Sequence, residues 1–180
     1  RRRVHPLLGW RLHDAEAAWE NTLDPLVLPW LAEHQVGGAV VYPGAAYVEM
    51  GLAAARELIG GEHLIVDGLD IVSPLVFDGE HGRSLRLVVN PRDGGFQIRS
   101  RQRLSSDEWT LHAAGRLLAS AGRLPALGIE PPSVVTRQVD RATHYRLAAQ
   151  LGLDYGPLFQ GLRAARVGAG ELVAELEADL

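Results

Sequence analysis

Cysteine is absent from this chain of 180 residues. Its absence removes disulfides, thiolate metal sites and cysteine nucleophiles together. An excess of basic charge is absent too: 18 Lys and Arg against 22 Asp and Glu leave a net charge of −4, which gives no general affinity for nucleic acid. The leading Arg1-Arg2-Arg3 is a short basic tip that reads as a linker remnant. No apolar run approaches the roughly 18–20 residues of a membrane helix. The N-terminus runs straight into HPLLGW with no apolar core and small-residue cleavage site, so no signal peptide is expected and the cytoplasm is the default location. Several catalytic signatures are also missing. There is no Gly-x-Ser-x-Gly elbow, no Gly-x-Gly-x-x-Gly after a strand and no phosphate loop, which argues against a serine hydrolase and against nucleotide cofactors. No His-x-His or His-Glu-x-x-His spacing occurs among the seven histidines, so no metal site is expected. What remains, 47% hydrophobic and 22% charged, is ordinary globular composition. The length suffices for one domain with a substantial core, or for one and part of another.

The pattern along the chain is that of one apolar helix followed by a meander. Residues 4–12 and 18–23 read as short strands around a polar turn, and Asp24-Pro25 ends the second. Residues 43–59 are the clearest helix. Pro43 suits its first turn, Gly60-Gly61 supply the stop, and only Glu49, Arg56 and Glu57 are charged, so the helix is expected to be buried. Strand patterns follow at 64–77, bent around Gly68 and Pro74, then at 84–90, 96–104 and 109–118. In the last of these, Trp109, Leu111, Ala113 and Leu117 are expected inward and Thr110, His112 and Arg116 outward. The connections DGEHGR, PRDGG and SSDE have turn composition. Residues 119–137 lack any period and read as a linker. Residues 140–151 form an amphipathic helix capped by Asp140 and stopped by Gly152, with strands at about 158–167 and 171–179. The organisation expected is therefore 1–118 as one sheet-and-helix unit, 119–137 as linker, and 138–180 as the beginning of a second unit, cut off before completion.

Chemistry concentrates in residues 34–44, HQVGGAVVYPG. His34 precedes a glycine pair, where backbone can approach a ligand closely, and lies just before the apolar helix. That helix opens Pro43-Gly44, exposing backbone N–H groups beside a site able to hold negative charge. A base next to such a donor is the minimum equipment for removing a proton beside a carbonyl. His5, His13, His63, His81, His112 and His144 lie in turns, ends or polar-face positions and read as structural. Glu49 is the acidic residue nearest the site; a paired structural carboxylate is its default reading.

His34-x-x-x-Gly38-x-x-x-x-Pro43 resembles the histidine motif of dehydratase domains from modular type I polyketide synthases. The surroundings agree in order: HPLLG at 5–9, WLAEHQV at 30–36, PGAAYVEM at 43–50, WTLHAAGRL at 109–117, and GLDYGPLFQGL at 152–162, which resembles the family's second signature. The resemblance implies an α+β double hotdog, each antiparallel sheet wrapped around a central helix, the second truncated here. It implies removal of water from a β-hydroxyacyl thioester to give an α,β-enoyl thioester, with no cofactor bound by the domain and the substrate carried on the phosphopantetheine of an acyl carrier protein. His34 would take the α-proton, a role that requires a neutral imidazole and that an apolar tunnel favours. Gly44 would hydrogen-bond the thioester carbonyl at the positive end of the helix. Gly38, Pro43, Gly44 and Tyr155 are the implied substrate-binding residues. Expected partners are the carrier protein, neighbouring synthase domains and a second copy in a homodimer.

Two departures stand out. Leu153 occupies the place of the family's first tyrosine, which reshapes the tunnel. The family's catalytic acid, an aspartate in a His-Pro-x-x-Leu-Asp-x-x-x-Gln segment, has no counterpart; Asp154 and Asp179 lie outside any such motif, and neither takes the role. The acid is expected beyond Leu180, and the piece alone is expected to be inactive. The open alternatives are a pyran- or furan-forming cyclase on the same fold, a hotdog thioesterase using Glu49 to activate water, and a catalytically silent structural domain.

Overall fold

The computed structural model describes residues 3–13, 17–79, 82–120, 122, 128 and 134–177. In chain order it forms β1 (Arg3–His5), β2 (Gly9–Arg11), β3 (Ala17–Leu23), β4 (His34–Val36), β5 (Ala39–Val41), α1 (Gly44–Leu58), β6 (Leu64–Ile71), β7 (Val76–Phe77), β8 (Arg83–Val89), β9 (Gly95–Gln102), β10 (Thr110–Ala119), β11 (Arg137–Asp140), α2 (Arg141–Gln150), β12 (Leu153–Tyr155), β13 (Leu162–Val167) and β14 (Leu172–Leu176). Single 3-10 turns lie at Pro29–Glu33 and Pro157–Phe159. The chain divides into two compact units, residues 1–28 with 41–123 and residues 29–40 with 124–180. Residues 29–40, which carry His34, thus group with the C-terminal part. Most of the stretch 119–137, His81 and Asp179 lie outside the described residues.

The first unit is an antiparallel sheet in the order β1-β2-β3-β8-β9-β10-β6. Alternation makes its core face: Trp19, Leu23, Leu85, Leu87, Ile98 and Ala113 are all fully buried. Helix α1 lies on that face, its Ala46, Tyr47, Met50, Gly51 and Ala53–55 turned inward. Small residues let it approach closely. A Cβ on Gly51 would sit 2.9 Å from Val66 Cγ2 and 3.5 Å from Leu117 Cδ2 and Phe96 Cζ. One antiparallel sheet packed on one long helix is the hotdog arrangement.

Three expectations for this unit need correction. Residues 4–12 are not one strand but a β1–β2 pair folded at Pro6–Leu8. Asn21, buried in β3, holds that fold by donating Nδ2 to the carbonyls of Pro6 at 2.8 Å and Leu7 at 2.9 Å. Gly9, at φ +82°, completes it where a Cβ would strike Glu20 O at 2.2 Å. The stretch 64–77 is two strands, β6 and β7, interrupted at residues 72–75. On β10 the register with β9 shifts between Leu111 and Ala113, so His112 and Ala113 are both buried. Trp109 accordingly faces outward, its ring between the guanidinium groups of Arg86 and Arg101 at 4.5 and 4.7 Å.

In the second unit, β11, β13 and β14 form an antiparallel sheet in the order β11-β13-β14. Helix α2 is N-capped by Asp140, whose side chain accepts from Thr143 N–H at 2.7 Å, and is followed after its C-cap Leu151 by Gly152, at φ +77°. Residues 158–161, read from sequence as the start of a strand, are not strand: Leu158 and Phe159 end the 3-10 turn, and β13 begins only at Leu162. Strand β12 pairs antiparallel with β4, and β4 with β5 through the two-residue turn Gly37-Gly38. Both of those glycines have positive φ, +59° and +78°, the conformation a tight hairpin of this hand requires.

Candidate active site

The sequence segments HQV and LDY, far apart in the chain, become neighbours as β4 and β12. The ladder pairs Leu153 with Val36, Asp154 with Gln35 and Tyr155 with His34. Gly37 N–H extends it by donating to Gly152 O at 2.7 Å, and Gly156 N–H donates to Glu33 O at 2.7 Å. Side chains directly opposite in such a pair share a face. The ring of Tyr155 accordingly lies 5.3 Å from that of His34, tilted by 34°. Phe159, from the 157–159 turn, meets the imidazole edge-on at 5.2 Å. Trp30 stands beyond Phe159 at 6.4 Å, and Tyr145 of α2 meets Tyr155 at 6.4 Å. His34 is thus half-buried in an aromatic surround. Asp154 is one step out of register with this pair, so its side chain leaves the opposite face of the strand.

The surround is held by polar contacts. Glu33 Oε2 accepts from Leu158 N–H at 2.8 Å. Gln160 donates Nε2 to Tyr155 O at 2.7 Å, and the Tyr145 hydroxyl accepts from Leu162 N–H at 2.8 Å. A cleft of about 340 Å³ opens beside these residues, lined by Glu33, Gln35, Tyr145, Asp154, Tyr155 and Gln160.

Of the residues singled out from the sequence, His34 and Tyr155 come together directly. Gly38 is an exposed hairpin residue with open space where a Cβ would stand. Pro43 and Gly44 belong to the first unit, where Pro43 is the N-cap of α1 and no side chain caps that helix start. The first turn of α1 is fixed by two buried phenols. Tyr42 donates to Met50 Sδ at 3.3 Å and meets Tyr47 edge-on at 5.0 Å. Burial pushes Tyr47 up to about 12 and Tyr42 higher still, so both stay protonated.

Glu49 is bound in a surface network, 3.3 Å from His5 Nε2 and 3.4 Å from Arg56 Nη1. His112, the buried histidine, has both ring nitrogens engaged. Nδ1 lies 3.2 Å from Ser73 O, and Nε2 lies 2.7 Å from the hydroxyl of buried Ser100. Because a carbonyl only accepts, Nδ1 carries the proton and Nε2 takes the Ser100 O–H. That leaves no nitrogen for substrate, and His112 locks β10 to β9 and to Ser73. Among the described residues no three His, Asp or Glu side chains gather as a metal site, and no helix is long and apolar enough to cross a membrane. Glu33, Phe159, Gln160 and Tyr145 are the members of this surround that the sequence does not single out. Phe159 and Gln160 stand inside the 152–162 motif and Glu33 inside WLAEHQV at 30–36, where the resemblance gives it no role.

An antiparallel sheet packed on one long helix places the first unit in the hotdog class of folds. Comparison with known proteins gives the family. Residues 5–103 match the model described as polyketide synthase dehydratase domain, and residues 123–180 match that described as polyketide synthase dehydratase N-terminal domain. The chain belongs to the polyketide synthase dehydratase family. It is similar to polyketide synthase GfsA of Streptomyces halstedii, 38% identical over 97% of this chain and 2% of that protein. It is also similar to the mycoketide-CoA synthase of Mycobacterium tuberculosis, 35% identical over 86% of this chain and 4% of that protein. The chain therefore spans a few per cent of the length of these curated relatives. Among solved structures it resembles the dehydratase domain from the CurF module of curacin polyketide synthase, at TM-score 0.82 and 25% identity over 96% of this chain and 65% of that one. A dehydratase structure from work on the borrelidin and fluvirucin polyketide synthases matches at TM-score 0.78 and 32% identity, over 98% and 63%.

Proposed function

We propose that this chain contributes the histidine half of a dehydratase site acting on β-hydroxyacyl thioesters, with residues 1–118 and 138–180 as parts of two successive hotdog units. The observation that carries the reading is the packing of His34 against Tyr155 and Phe159, both from the second signature, on the paired strands β4 and β12. Family membership supports the same chemistry. His34 takes the α-proton, and the electron pair moves toward the thioester carbonyl. Donation from Gly44 N–H, at the uncapped start of α1, steadies the enolate-like oxygen. The β-hydroxyl then leaves as water with a proton from an acid, and the α,β double bond forms. Pro43 fixes the helix start, Gly38 gives the hairpin its turn, and Tyr155 lines the substrate path.

The acid is not assigned to a residue of this chain: Asp154 faces away from His34. For the CurK dehydratase, a histidine-to-phenylalanine change and an aspartate-to-asparagine change each give an inactive mutant, which is the two-residue requirement this reading assigns here. The substrate is proposed to arrive on the phosphopantetheine of an acyl carrier protein, with neighbouring synthase domains and a second copy of the domain as partners in the cytoplasm. No bound cofactor enters the steps. A thioesterase built on Glu49 is not favoured, because that carboxylate is already paired with Arg56 and His5. The test is to supply the intact synthase polypeptide with a β-hydroxyacyl carrier protein and follow the acyl group by mass. Loss of one water to a product that adds a thiol across its new double bond supports the reading; release of free acid, or loss of one water to an isomeric cyclic ether that adds no thiol, overturns it.

A further inference from the structure

Glu33 precedes His34 and ends the turn Pro29–Glu33. It grips the second signature twice: its carbonyl accepts from Gly156 N–H at 2.7 Å, and its carboxylate Oε2 accepts from Leu158 N–H at 2.8 Å. The second bond has the form of a helix cap. The turn at 157–159 begins at Gly156, which has no side chain to satisfy the first free N–H groups. Glu33 supplies that acceptor from 125 residues away in sequence.

Gly156 explains itself through the same contact. Its φ of −72° and ψ of 175° are open to any L residue, so conformational freedom is not why glycine stands there. A Cβ at this position would lie 2.6 Å from each of Glu33 Cβ, Cγ and Oε2. Atoms so close cannot coexist, and the carboxylate would be pushed off Leu158. The turn so capped carries Phe159, whose ring edge meets the imidazole, and it directly follows Tyr155, the imidazole's cross-strand partner.

We propose that Glu33 is a positioning residue for His34: its carboxylate caps the 157–159 turn from the β4 side and so sets Phe159 and Tyr155 against the imidazole, and Gly156 is glycine to admit that carboxylate. The consequence for turnover rests on the dehydratase reading above; the packing does not.

The experiment measures both, on the intact synthase polypeptide. Diethyl pyrocarbonate is applied, and carbethoxylation of each histidine is timed by peptide mass spectrometry. The remaining histidines serve as internal controls. Glu33→Ala is expected to raise the modification rate of His34 about ten-fold, the effect of losing one charge-assisted hydrogen bond, with the other histidines unchanged. Glu33→Gln, which keeps an acceptor oxygen, stays near wild type. Gly156→Ala raises the rate in the same way, and adds little further in a Glu33→Ala background, because the two changes remove one contact. In the dehydration assay kcat falls about ten-fold in Glu33→Ala while KM holds. An unchanged His34 rate in Glu33→Ala overturns the proposal. So does a general rise at all histidines, additive effects of the two changes, or a Glu33→Gln variant as impaired as Glu33→Ala. A wild-type protein that does not dehydrate overturns the dehydratase reading alone, and the labelling rates still decide the role of Glu33.

Discussion

Tyr155 and His34 stand directly opposite one another in the antiparallel β4–β12 pair, their ring centroids 5.3 Å apart. One belongs to the motif around HQVGG and the other to the motif around LDYGP. The strand pairing is therefore what makes two separate sequence signatures into one site. Phe159 closes the other side of the imidazole, and its position depends on a short turn and not on a strand.

Removing the Phe159 ring loosens the imidazole without touching its chemistry. An edge-on aromatic pair contributes about 0.5–1.5 kcal/mol beyond area burial, so Phe159→Leu is expected to lower kcat about two- to ten-fold. Steady-state kinetics on a β-hydroxyacyl thioester measure it. Wild-type turnover would show that the ring contact has no bearing on the histidine.

Glu49 is expected to be dispensable for chemistry. Its carboxylate is partly exposed and paired with Arg56 and His5, so Glu49→Gln should leave dehydration within about two-fold of wild type, as for most exposed ion pairs. Abolished turnover in that variant would revive the thioesterase reading.

His112 gives stability a pH dependence. Burial, above all, holds its imidazole below the ordinary 6.5; the positive Arg83 adds to this, while the bond to Ser73 O works in the opposite direction. The unfolded chain therefore takes up that proton more readily than the folded one. Stability from neutral His112 is fully present above about 6.5 and is lost as pH falls below it toward the lowered folded value. Thermal melts across this range should show a falling midpoint. His112→Gln should melt lower at neutral pH but with a shallower slope on acidification; parallel slopes for both proteins would contradict this.

Gly51 is expected to resist the usual benefit of alanine in a helix. Gly→Ala favours a helix interior by about 1 kcal/mol, but overpacking a close contact costs about 1–3 kcal/mol. With Val66 Cγ2 only 2.9 Å from the new Cβ, the clash should win. Thermal or denaturant unfolding of Gly51→Ala should show a net loss of stability, and a gain would mean the sheet yields freely.

The parts of this protein legible in its sequence are those set by local rules. Helix α1 starts at Pro43-Gly44 and ends at Ile59, before Gly60, and α2 runs between Asp140 and Gly152, because caps and stops act within a turn of the residues they govern. Strands β8 and β9 follow plain alternation. The misreadings arise where distant groups intervene. Asn21 folds the chain at Pro6–Leu8, a register shift buries His112, and Glu33 draws residues 157–159 into a turn where composition suggests a strand. The pairing of His34 with Tyr155 follows from no periodicity; only the family resemblance joins the two motifs, and Glu33, though inside WLAEHQV, has no role assigned by it.

The proposed chemistry stands or falls on His34 as the proton acceptor. Its most direct test is dehydration of a β-hydroxyacyl carrier protein by the intact synthase polypeptide bearing His34→Ala, with the enoyl product quantified by mass. No enoyl product above background is expected, with the fold retained by thermal melting. Dehydration persisting at a rate near wild type would contradict it.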